Sequence, residues 1–209
     1  MSRRWLPSVT KSIKTPSNVF VLCTGRCGSV TFATACGHLS NFTAGHETRS
    51  GKIGKARMAY PKGHIEADNR LSWHLALLGQ RWDKDGAFYV HLKRDPDAVA
   101  RSYARRWNGK YRASMIRAFG HGIVMRAKDW PEEKRVDVAR FYADTVNANI
   151  EEFLKNRPSM TVDLETIETD FPVFLDRIGA EGDLDAAIGE WSVRHNASKT
   201  PSEISPSSE

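Results

Sequence analysis

Three short stretches of this chain carry residue types whose spacing could do chemistry, and all three suit anions or proton transfer. The first is Thr24-Gly25-Arg26-Cys27-Gly28-Ser29-Val30-Thr31, directly after an apolar run at 19–23. Glycines at 25 and 28 let several backbone N–H groups converge, and a helix starting there aims its partial positive end at the same point. Arg26 adds a full charge, so Gly25, Arg26, Cys27, Gly28, Ser29, Val30 and Thr31 form a candidate phosphate cradle. The nucleoside triphosphatase motif needs a lysine directly before its Ser or Thr, and here Gly28 precedes Ser29. The second stretch is Arg94-Asp95-Pro96 with Ser102. Asp95 and Pro96 make an N-cap and a first-turn proline. Ser102, seven residues beyond Asp95, therefore returns after about two helical turns to the same helix face as the capping Asp95 next to Arg94, and both can reach one phosphate. The third stretch is His46-Glu47-Thr48-Arg49. An attacking hydroxyl must lose its proton, so a carboxylate or imidazole has to stand within hydrogen-bond reach; Glu47 is the first candidate and His46 the second. Arg70, in Asp68-Asn69-Arg70, offers a further cation to a transferred group.

These residues need elements to position them. Residues 19–23 read as a buried strand and 30–38 as a helix whose small residues Ala33, Ala35 and Cys36 allow close packing on a sheet. A second strand at 42–46 delivers His46 and Glu47 at its end, and residues 50–57, basic with two glycines, read as a mobile exposed loop. A third strand is expected at 64–68 and a helix at 71–80. The next strand, 86–94, ends on Arg94 and leads into a helix at 97–107. Residues 108–128, broken by Gly109, Gly120 and Gly122, read as irregular. A helix start at 129–133 opens a long apolar-faced helix to about residue 156, ended by Pro158. A strand at 159–165, a helix at 171–178 closed by Gly179 and a short helix at 184–191 complete the pattern. Strands alternating with helices predict an α/β domain of three layers, αβα, with a mainly parallel central sheet whose ligands bind at the carboxyl ends of the strands. Arg26, Glu47, Arg70 and Arg94 all fall just after a predicted strand.

The 209 residues, 40% of them hydrophobic, suit one globular domain, expected at 18–196 between a basic arm at 1–17 and a disordered Ser/Pro/Glu-rich tail at 197–209. With 31 Lys and Arg against 25 Asp and Glu, the formal charge of +6 suits an anionic ligand, nucleic acid or an acidic membrane surface alike. The apolar run after the arm is too short for a signal peptide or a membrane span, so the reading is a cytoplasmic protein with no membrane partner. Cys23, Cys27 and Cys36 are odd in number and suggest neither a disulfide framework nor a zinc site; they read as small packing residues. The N-x-[ST] sites at Asn41 and Asn196 are read as chance.

Arg26-Cys27-Gly28-Ser29 resembles the 5′-phosphosulfate loop of the sulfotransferases that use 3′-phosphoadenosine 5′-phosphosulfate, with Arg in the charged position, Cys for the usual Ser and Ser for the first Thr. Val30 departs from the second Thr, for which Thr31 is a substitute. The run from Tyr89 to Ser102, with Arg94-Asp95-Pro96 in it, is similar to that family's 3′-phosphate site. Glu47-Thr48-Arg49 resembles the segment of the protein-tyrosine sulfotransferases whose Glu is the base. The resemblance covers 18 to about 105 and implies a P-loop nucleotide-hydrolase-like fold and metal-free sulfuryl transfer from that donor as co-substrate. Arg26 and the loop Gly25–Thr31 would hold the 5′ end, Arg94 and Ser102 the 3′-phosphate, and Glu47 or His46 would act as base, with Arg70 near the sulfuryl group. The acceptor partner is a hydroxyl on a peptide tyrosine, a sugar or a small molecule. A late basic segment, Arg194, His195, Asn196 and Lys199, matches the family poorly and reads as a frayed tail.

Two other readings compete. A nucleotide-dependent kinase of the phosphate-loop group lacks its lysine and a clear magnesium-binding acid after a strand. A nucleic-acid-binding module is suggested by Arg101, Arg105, Arg106, Lys110, Arg112, Arg117, Arg126 and Lys128 with Trp107 and Tyr111 among them. Given the motifs upstream, that stretch reads instead as a basic cover over an anionic donor, and nucleic acid is disfavoured as a partner. Nothing in the sequence speaks to oligomeric state.

Overall fold

Strand β1 (Asn18–Cys23) is buried at every position, as a strand covered on both faces must be. Phe20 and Leu22 enter one core with Trp82, Tyr89 and Tyr142, while Val19, Val21 and Cys23 enter a second with Phe32, Val90 and Phe174. The computed structural model describes residues 15–109 and 114–193. Most of the expected N-terminal arm, the tail, and the candidates Lys110, Tyr111, Arg112, Arg194, His195, Asn196 and Lys199 lie outside the described residues.

Strands β1, β2 (Thr43–His46), β3 (His64–Ala67), β4 (Phe88–Lys93) and β5 (Ser159–Asp163) form one sheet of order β2-β3-β1-β4-β5, with every pair parallel. Helices α1 (Ser29–Cys36), α6 (Ile167–Ile178) and α7 (Leu184–Gly189) cover one face; α2 (Leu75–Trp82), α3 (Pro96–Arg105) and α5 (Arg135–Leu154) cover the other. The expected three-layer αβα architecture is therefore the observed one. The start of α3 follows its sequence signal, since the Asp95 side chain accepts from the Asp97 and Ala98 amides and Pro96 lies in the first turn.

The path of the chain locates the site. From β1 it leaves through α1 toward β2, at one edge; from β4 it leaves through α3 and α5 toward β5, at the other. The connections diverge at the carboxyl ends of β1 and β4, the crevice where open α/β sheets bind ligands.

Four expectations need correction. Residues 50–56 are exposed as expected, but Gly54–Met58 winds into a 3₁₀ turn in which Arg57 is only 4% exposed, because its guanidinium compensates the buried carboxylate of Asp68. The helix expected at 71–80 is split at His74 into a 3₁₀ turn (Asn69–Trp73) and α2. Helix α6 starts at Ile167, four residues before the expected 171, and carries Pro172 inside it. The stretch read as irregular holds α4 (Met115–Arg117), which runs on into a π-helical turn, Ala118–Ile123.

Candidate functional site

The loop after β1 turns through three left-handed residues, Gly25 (φ 76), Arg26 (φ 62) and Gly28 (φ 88). That conformation is free for glycine and costs another residue about 1–2 kcal/mol. Arg26 is held in it by the surrounding structure, a form of stored strain common at ligand clamps. The loop's underside is fixed: the buried Thr24 carbonyl accepts from the hydroxyls of Tyr103 (2.7 Å) and Tyr142 (2.8 Å), and Ser72 Oγ donates to the Cys23 carbonyl at 3.1 Å. A methyl group on Gly25 would lie 2.6 Å from the Tyr103 hydroxyl and collide with the Asn69 amide, so close packing as well as φ demands glycine here.

The two arginine motifs meet in this crevice. Arg26 Nε donates to Ser102 Oγ at 3.1 Å, and Arg94 Nη1 donates to the Arg26 carbonyl at 2.9 Å. Arg106, at the C-cap of α3 and one turn beyond Ser102, adds its charge to the group. Burial first, and then the Arg106 charge, pull Arg26 below the ordinary guanidinium value, yet it stays a cation at neutral pH. Desolvated and facing like charges, Arg26 sits where a bound anion would be stabilised.

On the other side of the loop, α1 begins at Ser29 with Gly28 as its N-cap, which has no side-chain oxygen to offer the first-turn amides. Ser29 Oγ lies 3.1 Å from His46 Nε2 and joins the cradle to the end of β2. Val30 is half-buried and Thr31 is buried in α1. Cys23 and Cys27 are buried thiols in mutual contact. The bond to Cys27 and burial push the Cys23 thiol up, while the Cys23 S–H and backbone amides of the loop lower Cys27.

Glu47 follows β2 with φ 52, left-handed again. Its Oε2 pairs with Arg70 Nη1 at 2.5 Å, each side chain 27% exposed. Behind it, the fully buried Glu66 of β3 accepts from the Thr48 amide (2.7 Å) and the Thr48 hydroxyl (2.7 Å) and lies 2.9 Å from His64 Nε2. His64 Nδ1 is in turn 2.8 Å from Thr43 Oγ1. This chain fixes the turn that presents Glu47. Asp68, at the N-cap of the Asn69–Trp73 turn, accepts from the Arg70 amide (2.8 Å) and pairs with Arg57 (2.6 Å). Burial still pushes its carboxyl above the usual range, outweighing the lowering by Arg57.

All the candidate residues except Val30 and Thr31 therefore converge on hydrogen-bonded contacts at one end of the sheet. Sequence reasoning placed Arg106 only in the general basic cover and did not single it out beside Arg26 and Arg94, although its i+4 spacing from Ser102 was a usable signal. It also missed Tyr103 and Tyr142 as loop anchors and Glu66 as the support behind Glu47. Among the described residues no cluster of His, Cys, Asp and Glu is suited to a metal ion, and no helix is long and apolar enough to cross a membrane.

The all-parallel five-stranded sheet between two helical layers is also the architecture of sulfotransferase domains of known structure. Two solved structures share it. The sulfotransferase domain from the curacin biosynthetic pathway matches with a TM-score of 0.57 at 12% identity, over 83% of this chain and 77% of that one. The sulfotransferase domain from the Synechococcus PCC 7002 olefin synthase matches with a TM-score of 0.54 at 14% identity, over 92% of this chain and 82% of that one. No protein-family model and no curated protein sequence matches the chain.

Proposed function

We propose that this protein transfers a sulfuryl group from 3′-phosphoadenosine 5′-phosphosulfate to a hydroxyl acceptor. The observation that carries the reading is the junction of the two arginine motifs: Arg26 is bonded to Ser102, and Arg94 to the Arg26 carbonyl, across 76 and 68 residues of chain. Two anion sites joined in this way suit a nucleotide phosphorylated at both its 5′ and 3′ positions. The donor, as substrate, supplies an activated sulfur. In the transfer, the acceptor oxygen bonds to sulfur as the bond from sulfur to the 5′-phosphate oxygen breaks, and adenosine 3′,5′-bisphosphate is the product.

The chain's own residues have separable roles. Arg26 and the amides of residues 25–31 bind the 5′ end and stabilise the charge that grows on the leaving phosphate. Arg94 and Ser102 hold the 3′-phosphate, with Arg106 adding to the field. Glu47 takes the acceptor proton. Its pairing with Arg70 holds the carboxylate in place, and an anionic donor drawing Arg70 toward itself frees an oxygen for that proton. His46, bonded to Ser29, orients the start of α1 and is the second candidate base. The match of Glu47-Thr48-Arg49 to protein-tyrosine sulfotransferases leans the acceptor toward a phenol.

Transfer of labelled sulfate to a panel of phenols and aliphatic alcohols tests this reading. Arg26→Ala is expected to lower kcat by two orders of magnitude or more, about the loss on removing one transition-state donor. Glu47→Gln is expected to lower kcat with donor affinity kept. Wild-type turnover in Arg26→Ala would refute the mechanism; wild-type turnover in Glu47→Gln would move the base to His46.

A further inference from the structure

Arg70 borders more than the Glu47 pair. It lines a cavity of about 550 Å³ with Ser114, Met115, Arg117 and His121. Through Arg117, His121 and Gly122 that cavity continues into a second of about 760 Å³, lined also by Met125, Arg126 and Asp129. The floor of this groove is built. It is the π-helical turn Ala118–Ile123, a feature frequent at functional sites, and it is clamped by the Trp130 indole donating to the Gly120 carbonyl at 2.8 Å. Its apolar surface comes from Met115 and Ala118 and, at the rim, Met125, which is 90% exposed and held at φ 59.

The charges of the groove are unbalanced. Among the described residues Arg117 and Arg126 form no ion pair; Arg126 lies over the Trp130 ring at 4.2 Å and donates to the Lys128 carbonyl. Asp129, the acid lining the groove, lies 3.5 Å from His121 Nε2 and is otherwise turned to groups outside the groove: it accepts from Trp107 Nε1 (3.0 Å) and the Trp130 amide (2.9 Å) and faces Arg135 at 3.6 Å, so neither groove arginine is its partner. Those N–H donors hold it below the usual carboxylate range. His121 is oriented by a 2.9 Å bond from Nδ1 to the Arg126 carbonyl.

We propose that this groove is the acceptor site and that the acceptor is a hydroxy acid, with its carboxylate at Arg117 and Arg126, its apolar body along Met115 and Met125, and its hydroxyl at Glu47. The proposal rests on the sulfuryl-transfer reading. Arg70 joins the base and the groove wall, so a hydroxyl that reaches Glu47 leaves the rest of its molecule in the groove. Guanidinium groups bind a carboxylate through two parallel hydrogen bonds, a match that a neutral or cationic acceptor lacks.

The test is calorimetric binding of 10-hydroxydecanoate and of 3-(4-hydroxyphenyl)propionate, each against its methyl ester, to the full chain saturated with adenosine 3′,5′-bisphosphate. The proposal expects at least one acid to bind about tenfold tighter than its ester, the gain of a charge-assisted pair. The pair that binds separates an aliphatic from an aromatic hydroxy acid. The preference is expected to vanish in Arg117→Glu/Arg126→Glu and to be weakened but retained in Arg117→Lys/Arg126→Lys, which keeps the charge without the paired hydrogen bonds, with bisphosphate affinity unchanged in both. Equal binding of acid and ester, or no binding of either acid, overturns the proposal. Competition between acid and bisphosphate also overturns it and assigns these arginines to the donor. Failure of the wild-type protein to bind bisphosphate defeats the sulfuryl-transfer reading instead, whatever the acids do.

Discussion

The Thr24 carbonyl, where β1 becomes the loop, is the point at which the site can be loosened without touching its charged groups. Tyr103 and Tyr142 reach it from α3 and α5 with bonds of 2.7 and 2.8 Å, and burial pushes both phenols up, so each keeps the proton it donates. A net hydrogen bond contributes about 0.5–1.5 kcal/mol, whereas a buried acceptor left with no donor costs about 1–3 kcal/mol. Tyr103→Phe or Tyr142→Phe alone leaves one donor in place and is expected to cost about 1 kcal/mol. The double substitution strands the carbonyl, and its cost should exceed the sum of the two singles, reaching about 3–4 kcal/mol.

Urea unfolding followed by circular dichroism measures this cycle, with slopes unchanged if the folded states are alike. For a chain of this length each kcal/mol also lowers the thermal midpoint by about 2–4 °C. The loop should suffer more than the fold, so affinity for adenosine 3′,5′-bisphosphate should fall more steeply in the double variant than in either single. Strict additivity of the two substitutions, or a full loss from one and none from the other, would refute the two-donor clamp.

Two further outcomes follow from buried groups. Asp68→Asn strands the Arg57 guanidinium, which is 4% exposed and paired at 2.6 Å, and should cost about 3–5 kcal/mol in urea unfolding, while the apolar double Arg57→Met/Asp68→Leu should cost clearly less; equal costs would contradict the buried-pair reading. His91 is buried on β4, 3.1 Å from Asn147, and burial lowers its pKa from the ordinary 6.5. The unfolded chain therefore binds its proton first, and as pH falls from 6.5 toward the lowered folded value wild-type stability should decline by up to about 1.4 kcal/mol per pH unit relative to His91→Gln. Parallel stability curves for the two proteins would contradict it.

Much of this structure could be read from local signals. The unbroken apolar run of β1, the Asp95-Pro96 start of α3 and the periodic apolar face of α5 each act over a few residues, and each appears where expected. Arg26, Arg94 and Ser102 were legible because strand ends and helix turns fix where their side chains start. What was lost is non-local or off-period. Arg57 sits in a Gly- and Lys-rich run that looks solvated, and its burial depends on Asp68, eleven residues on in another element. Glu66 alternates into the sheet as a buried acid beside His64, but its donor Thr48, eighteen residues away on another element, is one that no short window links to it. The π turn at Ala118–Ile123 has a period that patterns of 3.6 and 2 do not detect, and Gly120, which admits the Trp107 and Trp130 rings, looked like a break.

The central claim, that two arginine motifs make one site for a doubly phosphorylated nucleotide, is tested most directly by thermal midpoints. The measurement compares adenosine 3′,5′-bisphosphate without metal, ATP with magnesium, and single-stranded DNA. At a hundred times its dissociation constant, a ligand of the folded state adds about 2.7 kcal/mol, or about 5–10 °C here. A rise of that size with bisphosphate alone, lost in Arg26→Ala and reduced in Arg94→Ala, is the predicted result. Stabilisation by ATP with magnesium or by DNA, with none from the bisphosphate, would contradict it.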